Sequence, residues 1–218
     1  MEILKGKKII ELLNFKELLS CYSEVLIDIG TGNGRYPYQY AKKNPNSLAI
    51  GIDPAGNNMM IEYSVKSQRK PSKGGLDNVL YCVAAIESIP EELADIGDKI
   101  TVNLPWGSLL EGIVKGENFI LNAIVKMAKK NCSFRAVFSY TELHESGEIE
   151  RRTLPELSTS YIENTLIPYY NNAGIIITEI KLFSNEDLRK LNTLWAKKLM
   201  VSKKRDIYSI EGFILKAN

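Results

Sequence analysis

The feature that most constrains the fold is the run from Val25 to Arg35, which reads V-L-I-D-I-G-T-G-N-G-R. A β-branched and apolar stretch leads to Asp28, and glycines follow at alternate positions from Gly30 to Gly34. Glycines spaced in this way let the backbone turn sharply out of a strand and pass close to a ligand, where a Cβ atom would collide. The run therefore predicts a core strand that ends in a ligand-binding turn.

The spacing of these glycines separates two classes of cofactor site. Dinucleotide-binding turns follow G-x-G-x-x-G and hold a pyrophosphate at a helix N-terminus. Here the third glycine comes one position early, and Arg35 stands where the dinucleotide pattern has its last glycine. An acidic residue two positions before G-x-G-x-G is typical of S-adenosylmethionine (SAM) methyltransferases, since Asp28 can face the ammonium and sulfonium groups of that ligand. A glycine-rich turn without a ligand is the alternative.

Composition and cysteine usage exclude several classes of protein. A chain of 218 residues with 44% hydrophobic and 25% charged residues is typical of one globular α/β domain. No apolar run approaches the length of a membrane span, and the N-terminus has no signal peptide. Cys21, Cys82 and Cys132 are widely spaced and form no C-x-x-C pair, so neither a zinc site nor a disulfide framework is expected. We therefore expect a cytoplasmic protein that binds no metal and no membrane.

Alternating strand and helix signals predict a doubly wound α/β sheet of seven strands, the last of them antiparallel, in one domain spanning 1–218. A small hairpin over 1–13 precedes this core, and the polar segment 141–155, which holds His144, reads as a long substrate-contacting loop. The predicted strands are Val25–Ile29, Leu48–Ile52, Val79–Ala84, Ile100–Leu104, Phe134–Tyr140, Ile175–Leu182 and Ile207–Leu215. The predicted helices are Tyr36–Lys43, Asn57–Gln68, Phe119–Lys130, Leu157–Asn171 and Asn185–Val201.

Acidic residues follow the next two predicted strands. Asp53 ends the second strand and can accept hydrogen bonds from both ribose hydroxyls of a nucleoside. The alternative is that Asp53, followed by Pro54, caps the next helix. Glu87 follows the third strand and can reach the edge of an adenine ring, with a solvated or capping carboxylate as its alternative.

The fourth predicted strand ends in N-L-P-W-G, from Asn103 to Gly107. Ligands of doubly wound sheets bind at the carboxyl ends of the strands, where a proline and an aromatic ring can present a carbonyl and a flat face to a planar substrate. Adenine-N6 methyltransferases carry a related Asn/Asp-Pro-Pro-aromatic tetrapeptide, but Leu104 replaces its first proline, which argues against exocyclic amine chemistry. The second tryptophan, Trp195, also flanks a predicted crevice element. We predict that it stacks with Trp106, although core packing would explain either ring alone.

Basic residues gather in three places although the net charge is only +2. Separated basic faces suit a polyanion such as RNA, and solvated helix faces are the alternative. The clusters comprise Lys66, Arg69, Lys70 and Lys73; Arg151 and Arg152; and Lys197, Lys198, Lys203, Lys204 and Arg205.

Seven motifs occur in order along the chain: M-E-I-L-K-G-K-K, D-I-G-T-G-N-G-R, G-I-D-P, K-P-S-K-G-G-L, A-A-I-E-S-I-P, L-P-W-G-S-L-L-E and L-W-A-K-K-L. Together they resemble the aminoglycoside-resistance 16S rRNA methyltransferases that modify N1 of adenine 1408, the NpmA and KamB family, and the likeness is closer to the NpmA type. The resemblance covers nearly the whole chain. It implies a Rossmann-like class I SAM-dependent methyltransferase.

The resemblance also implies roles for individual residues. The SAM site would comprise Asp28, Gly30, Gly32, Asp53, Pro54, Ala85, Glu87, Leu104, Ser108 and Thr193. The catalytic set would be Trp106 and Trp195, which sandwich a flipped base, together with Pro105. The rRNA contacts would come from Lys66, Arg69, Lys70, Lys73, Glu145, Arg152 and Arg205.

The function implied is methyl transfer from SAM to adenine 1408 in the assembled 30S subunit, by a monomer. Adenine N1 carries a free lone pair at neutral pH and needs no general base, so His144 is expected to be a solvated residue. Two other interpretations stay open. One is a methyltransferase for tRNA or a small molecule, and the other is a non-catalytic RNA-binding or assembly factor on the same fold. A nicotinamide-dependent enzyme is disfavoured by the glycine spacing.

Overall fold

The computed structural model of the chain describes residues 1–55, 59–191, 193–201 and 205–216. These residues form a single sheet of nine strands with helices packed against it. The strands are Glu2–Lys5 (β1), Lys8–Glu11 (β2), Glu24–Ile29 (β3), Ser47–Ile52 (β4), Val79–Cys82 (β5), Gly97–Asn103 (β6), Ala128–Phe138 (β7), Ile175–Leu182 (β8) and Tyr208–Ile214 (β9). The helices are Phe15–Ser20 (α1), Arg35–Lys43 (α2), Ile61–Ser67 (α3), Gly107–Lys115 (α4), Asn118–Met127 (α5), Glu142–Arg152 (α6), Thr159–Tyr161 (α7), Ile167–Asn172 (α8), Asn185–Leu191 (α9) and Leu194–Val201 (α10).

The sheet has the order β2-β1-β5-β4-β3-β6-β7-β9-β8. The pairs that join β5, β4, β3, β6 and β7 are parallel, whereas β9 pairs antiparallel with both β7 and β8. The α/β class and the antiparallel last strand are confirmed. Because the chain reverses its winding at β3, the carboxyl ends of β3 and β6 flank the switch point where such sheets bind ligands.

The central strand β3 is buried on both faces, as expected for a parallel strand covered by helices. Val25 and Ile27 join a hydrophobic cluster with Ile113 of α4 and other residues. Leu26, which points the other way, packs in a second cluster with Tyr38 of α2. Two separate cores therefore hold β3 rigidly and fix the position of the turn that follows it.

The N-terminal hairpin extends the predicted seven-stranded sheet to nine strands. Strand β1 pairs antiparallel with β2, and its Ile3 lies opposite Cys82 at the end of β5. The hairpin also packs against α3, where the Ser64 hydroxyl donates a 2.7 Å hydrogen bond to the Leu4 carbonyl. The hairpin is thus part of the sheet edge.

The segment 141–155 was predicted as a loop, and this prediction is wrong for most of its length, because Glu142–Arg152 forms helix α6. The helix begins after Thr141, whose backbone N–H donates to the Glu145 carboxylate at 2.8 Å. Ion pairs of Glu148 with Arg151 and Arg152 follow at helical spacing. The helix buries no residue, so its hydrophobic pattern gave no signal.

Other boundaries also shift. The helix predicted to end at Lys130 ends at Met127, where β7 begins directly. The first two residues of the helix predicted over 57–68 lie outside the described ranges. Within the described residues, the helix of this segment is α3. The helix predicted over 185–201 is divided into α9 and α10, because the Thr193 hydroxyl accepts a 2.9 Å hydrogen bond from the Ala196 N–H and starts a new helix. None of the helices in the described ranges is both long and apolar enough to cross a membrane.

Candidate active site

A cavity of about 450 Å³ opens at the carboxyl ends of β3, β4 and β6. It brings together most of the residues that the sequence assigned to the cosubstrate and the base: Asp28, Gly30, Gly32, Asp53, Pro54, Glu87, Leu104, Trp106, Ser108, Thr193 and Trp195. Ala85 and the buried Pro105 do not line it. Several other lining residues were not assigned to the site from the sequence, among them Asn33, Met59, Leu109 and Lys198.

The glycine turn needs its glycines for two physical reasons. Gly30 has φ +66°, and a Cβ atom there would lie 2.5 Å from Leu109 Cδ2. Gly34 has φ +75°, and its Cβ would lie 2.4 Å from the Tyr81 ring. Both positions require a left-handed backbone in a space too small for a side chain. The turn is therefore held tightly against the sheet and forms one wall of the cavity.

Asp28 is buried at the floor of the cavity, with 1% of its surface exposed. One carboxylate oxygen accepts hydrogen bonds from the Thr101 hydroxyl at 2.8 Å and from the Asn103 amide at 2.7 Å. Burial raises the pKa of Asp28 to about 6, against the lowering effect of these bonds and of the Arg135 charge. The carboxylate is thus ionised at neutral pH and suited to a cationic ligand.

Asp53 uses both carboxylate oxygens within the protein. One accepts from the Ala55 N–H and the other from the Gly32 N–H, both at 2.9 Å. Burial raises the pKa of Asp53, while these two hydrogen bonds lower it. The first bond closes a local turn after β4, and the second ties the β4 end to the glycine turn. Each oxygen keeps a further lone pair for a hydroxyl donor.

Two polar side chains at the cavity wall are available to a ligand. The Asn33 carbonyl oxygen accepts from the Arg35 N–H, whereas its buried Nδ2 has no hydrogen-bond partner among the described residues. This donor can therefore bond to an acceptor on a ligand. Glu87 is exposed and accepts a 3.2 Å hydrogen bond from the Ser108 hydroxyl, which crosses from the start of α4.

The two tryptophans stand face to face at the rim of the cavity. Their ring centroids are 6.2 Å apart and their planes are inclined by only 8°. Trp106 and Trp195 are 51% and 47% exposed, so neither ring is a core residue. The Lys198 ammonium lies 4.8 Å from the centroid of the Trp195 ring. The two indole rings therefore form a parallel pair at the mouth of the cavity.

Backbone geometry between β6 and α4 sets the position of Trp106. Leu104 has φ +53°, which is uncommon for a residue with a side chain. Its N–H donates a 2.8 Å hydrogen bond to the Val137 carbonyl and holds this turn to β7. Gly107 then has φ +65° and starts α4. The chain therefore leaves the sheet abruptly, and the indole projects over the cavity.

Comparisons with known proteins agree with this geometry. The model of the NpmA family of 16S rRNA (adenine(1408)-N(1))-methyltransferases matches residues 2–214. The chain belongs to this family. A 16S rRNA (adenine(1408)-N(1))-methyltransferase from Escherichia coli is 39% identical over 99% of this chain and 100% of its own length. One from Streptoalloteichus hindustanus is 32% identical over 96% of this chain and 97% of its own.

Solved structures of the NpmA family share the fold in full. The 16S rRNA methyltransferase KamB has a TM-score of 0.89 and 30% identity, covering 99% of this chain and 100% of its own. A tryptophan-to-alanine variant of the Catenulisporales acidiphilia enzyme, crystallised with the cosubstrate SAM, has a TM-score of 0.90 and 28% identity, covering 100% of this chain and 98% of its own. The resistance methyltransferase NpmB1 has a TM-score of 0.84 and 33% identity, covering 99% of this chain and 100% of its own.

The basic residues assigned to rRNA lie in two different settings. Arg69, Lys70 and Lys73 are exposed around the turn that follows α3. Lys66 is half-buried, and its ammonium lies 4.8 Å from the centroid of the Tyr38 ring. Of the C-terminal cluster, Lys203 and Lys204 lie outside the described residues. The surface around 69–73 is thus the most accessible part of the predicted rRNA contact.

Three residues predicted to meet rRNA are engaged within the protein. Arg152 pairs with Glu111 of α4 at 2.8 Å and with Glu148 at 2.5 Å. Arg205 pairs with Glu145 at 2.8 Å, and the two side chains are 8% and 12% exposed. The Arg152–Glu111 pair fastens α6 to α4, the helix that follows Trp106, and the Arg205–Glu145 pair fastens α6 to the segment that follows α10, the helix that carries Trp195. His144 lies on α6 and is exposed, as expected.

Proposed function

We propose that the chain transfers a methyl group from SAM to N1 of adenine 1408 in 16S rRNA, within the 30S subunit in the cytoplasm, and so confers aminoglycoside resistance. The observation that carries this proposal is the parallel tryptophan pair at the mouth of a cavity suited to SAM. The names of the relatives supply the target nucleotide. We further propose that the enzyme acts as a monomer.

The cavity residues fit SAM group by group. Asp28 supplies a buried negative charge for the cationic amino acid end, and the orphan Nδ2 of Asn33 supplies a donor for its carboxylate. Asp53 retains lone pairs for the ribose hydroxyls. Glu87 and Ser108, from two different elements, stand where an adenine edge can bond. SAM, when bound, supplies an electrophilic methyl group on a positively charged sulfur.

The tryptophans fit a flipped base after a small opening. Stacked bases repeat about every 3.4 Å, so a base between two rings needs ring planes roughly 6.8 Å apart. The centroid separation of 6.2 Å sets an upper limit on the present spacing of the planes. A movement of Trp195 with α10 by about 0.6 Å or more would admit the base. Extrusion costs a few kcal/mol, which stacking can offset.

In the methyl-transfer step, the main contribution of the protein is to orient the base relative to the methyl group. Adenine N1 is a neutral nucleophile with a free lone pair, so no side chain has to remove a proton before attack. The product base is cationic, and each indole face would stabilise it by about 0.5–2 kcal/mol. The side chains therefore act by holding N1 in line with the methyl group. A methylated, positive base edge would repel the ammonium groups of an aminoglycoside and remove its hydrogen bonds there.

The test is methyl transfer from labelled SAM to purified 30S subunits, followed by primer extension on the 16S rRNA. We expect incorporation of one methyl group per subunit and a strong stop at adenine 1408. Bulk tRNA serves as the control substrate. Incorporation into tRNA instead would favour the alternative RNA methyltransferase, and no incorporation into any RNA, despite SAM binding, would favour the assembly factor. A parallel growth assay with kanamycin and apramycin tests resistance.

A further inference from the structure

A row of polar side chains crosses the sheet beside the cavity. Strand register places Asp28 of β3 next to Thr101 of β6, Thr101 next to Arg135 of β7, and Arg135 next to Glu211 of β9. Neighbours in register point to the same face of a sheet. Asp28 lines the SAM cavity at one end of the row. Arg135 and Glu211 line a second cavity of about 520 Å³ at the other end.

Arg135 connects the two cavities through Asn103. Its Nη2 donates to the Asn103 carbonyl oxygen at 3.4 Å and to the Tyr36 hydroxyl at 2.9 Å. The Asn103 amide nitrogen in turn donates to Asp28 at 2.7 Å. A guanidinium has only donors and a carboxylate only acceptors, so Arg135 and Asp28 together hold the Asn103 amide with its oxygen towards β7 and its nitrogen towards Asp28.

We propose that Arg135 is a positioning residue for the cosubstrate, which orients the Asn103 amide and supplies the positive charge that balances the Asp28 carboxylate. This proposal rests on the proposed use of SAM. Arg135 touches no part of the SAM cavity itself, and it would therefore act only through Asn103 and through its electric field.

The charges around Asp28 support this role. The side chains that face Asp28 from the glycine turn, α2, β6 and β7 are Thr31, Tyr36, Thr101, Asn103 and Arg135. Arg135 contributes the positive charge of this set and lowers the pKa of Asp28 against the effect of burial. Its Nε is buried without a hydrogen-bond partner in the described ranges.

The experiment is calorimetric titration of the full-length enzyme with SAM between pH 5.5 and 8.5. In the wild type, affinity should fall as the pH decreases below about 6, because Asp28 becomes protonated. In Arg135→Met the midpoint of this pH dependence should move up by about one pH unit or more. At pH values below the midpoints of both proteins, the variant should therefore bind SAM roughly tenfold more weakly than the wild type. Arg135→Lys should show a smaller shift than Arg135→Met because it keeps the positive charge.

Lys99→Met is the matched control. Lys99 lines the same second cavity, but it donates to the Tyr40 hydroxyl at 3.3 Å and lies 3.8 Å from Glu24. Its loss removes one positive charge from the same face without touching Asn103. The pH profile of SAM binding in Lys99→Met should therefore coincide with that of the wild type.

Three outcomes separate the possibilities. A wild-type profile in Arg135→Met, or an equal shift in Lys99→Met, would overturn the role of Arg135. Failure of the wild type to bind SAM at any pH would instead overturn the proposed function. In an Asp28→Asn background the further change Arg135→Met should cost little affinity, because the charge to be balanced is gone. If methionine at this position prevents folding, Arg135→Gln, which keeps a donor for Asn103, replaces it in the same comparison.

Discussion

The Arg205 guanidinium forms an ion pair with the Glu145 carboxylate at 2.8 Å, and both side chains are nearly buried. Glu145 has a non-helical backbone (φ −126°, ψ 24°) inside α6, so the helix bends where the pair forms. The pair joins α6 to the segment that follows the Trp195 helix. Two residues expected to contact rRNA are therefore also part of the scaffold.

Glu145→Gln should loosen α6. It leaves the Arg205 charge buried without its partner, and breaking a buried pair in this way costs on the order of 3 kcal/mol. Hydrogen exchange followed by mass spectrometry should show reduced protection across 142–152. Glu150→Gln, an exposed change on the same helix, is the control and should leave protection unchanged. The double variant Glu145→Gln with Arg205→Met should recover most of the protection, since no buried charge remains; equal exchange in all four proteins would contradict the scaffold role.

Trp106→Ala and Trp195→Ala should separate catalysis from SAM binding. Loss of one stacking face costs about 1–3 kcal/mol, which corresponds to a decrease in kcat/KM for 30S methylation of roughly 5- to 150-fold. Both rings are about half exposed, so stability should change little. SAM affinity, measured by calorimetry, should stay within a few-fold of the wild type. Phenylalanine at either position should retain part of the activity, and alanine variants with normal rates would exclude the base sandwich.

Only some parts of the site could be predicted from the sequence. The glycine turn, Asp28 and the Asn103–Gly107 stretch were predictable because each depends on backbone constraints within a few adjacent residues. Helix α6 was not, because it buries no residue and therefore has no hydrophobic periodicity. Its attachment to α4 through Arg152 and Glu111, which are 41 positions apart in the chain, is likewise not visible in any local pattern.

Distance along the chain also explains why the sequence analysis did not identify the role proposed for Arg135. Its partner Asn103 lies 32 residues away, on the neighbouring strand. Alternating polar residues in a strand are normally interpreted as solvent-facing. Only the register of β6 against β7 reveals that Arg135 and Asn103 share one face.

Lys70→Ala and Lys73→Ala should weaken binding to 30S subunits mainly through electrostatics. Each side chain is exposed beside α3, and removing a lysine that neutralises one phosphate should reduce the slope of log K against log salt by about 0.7–0.9. Binding should be measured between 50 and 250 mM salt, with Lys42→Ala, an exposed lysine at the end of α2, as the control. An unchanged salt slope in both variants would place the rRNA contact elsewhere, even if affinity fell.

Asp28→Asn should weaken SAM binding and yet stabilise the protein. The folded pKa of about 6 exceeds the ordinary value of 3.8, so ionisation of Asp28 costs folding free energy. This cost is absent below the ordinary pKa, grows as the pH rises between the two values, and is complete above about 6. Two pH units correspond to an upper limit of roughly 3 kcal/mol.

Thermal melting at pH 5 and pH 8 checks the sign of this effect. The melting temperature of Asp28→Asn should exceed that of the wild type by more at pH 8 than at pH 5, because only at the higher pH does the wild type bear the whole cost of the buried charge. Calorimetry at pH 8 should show at least tenfold weaker SAM binding, since asparagine cannot balance a cation. Asp53→Asn is the comparison, because the Asp53 carboxylate accepts hydrogen bonds from two backbone N–H groups and its loss should destabilise the turn. If Asp28→Asn melted at a lower temperature than the wild type at pH 8, the buried carboxylate would stabilise the fold. The idea that its ionisation costs folding free energy in exchange for ligand binding would then be wrong.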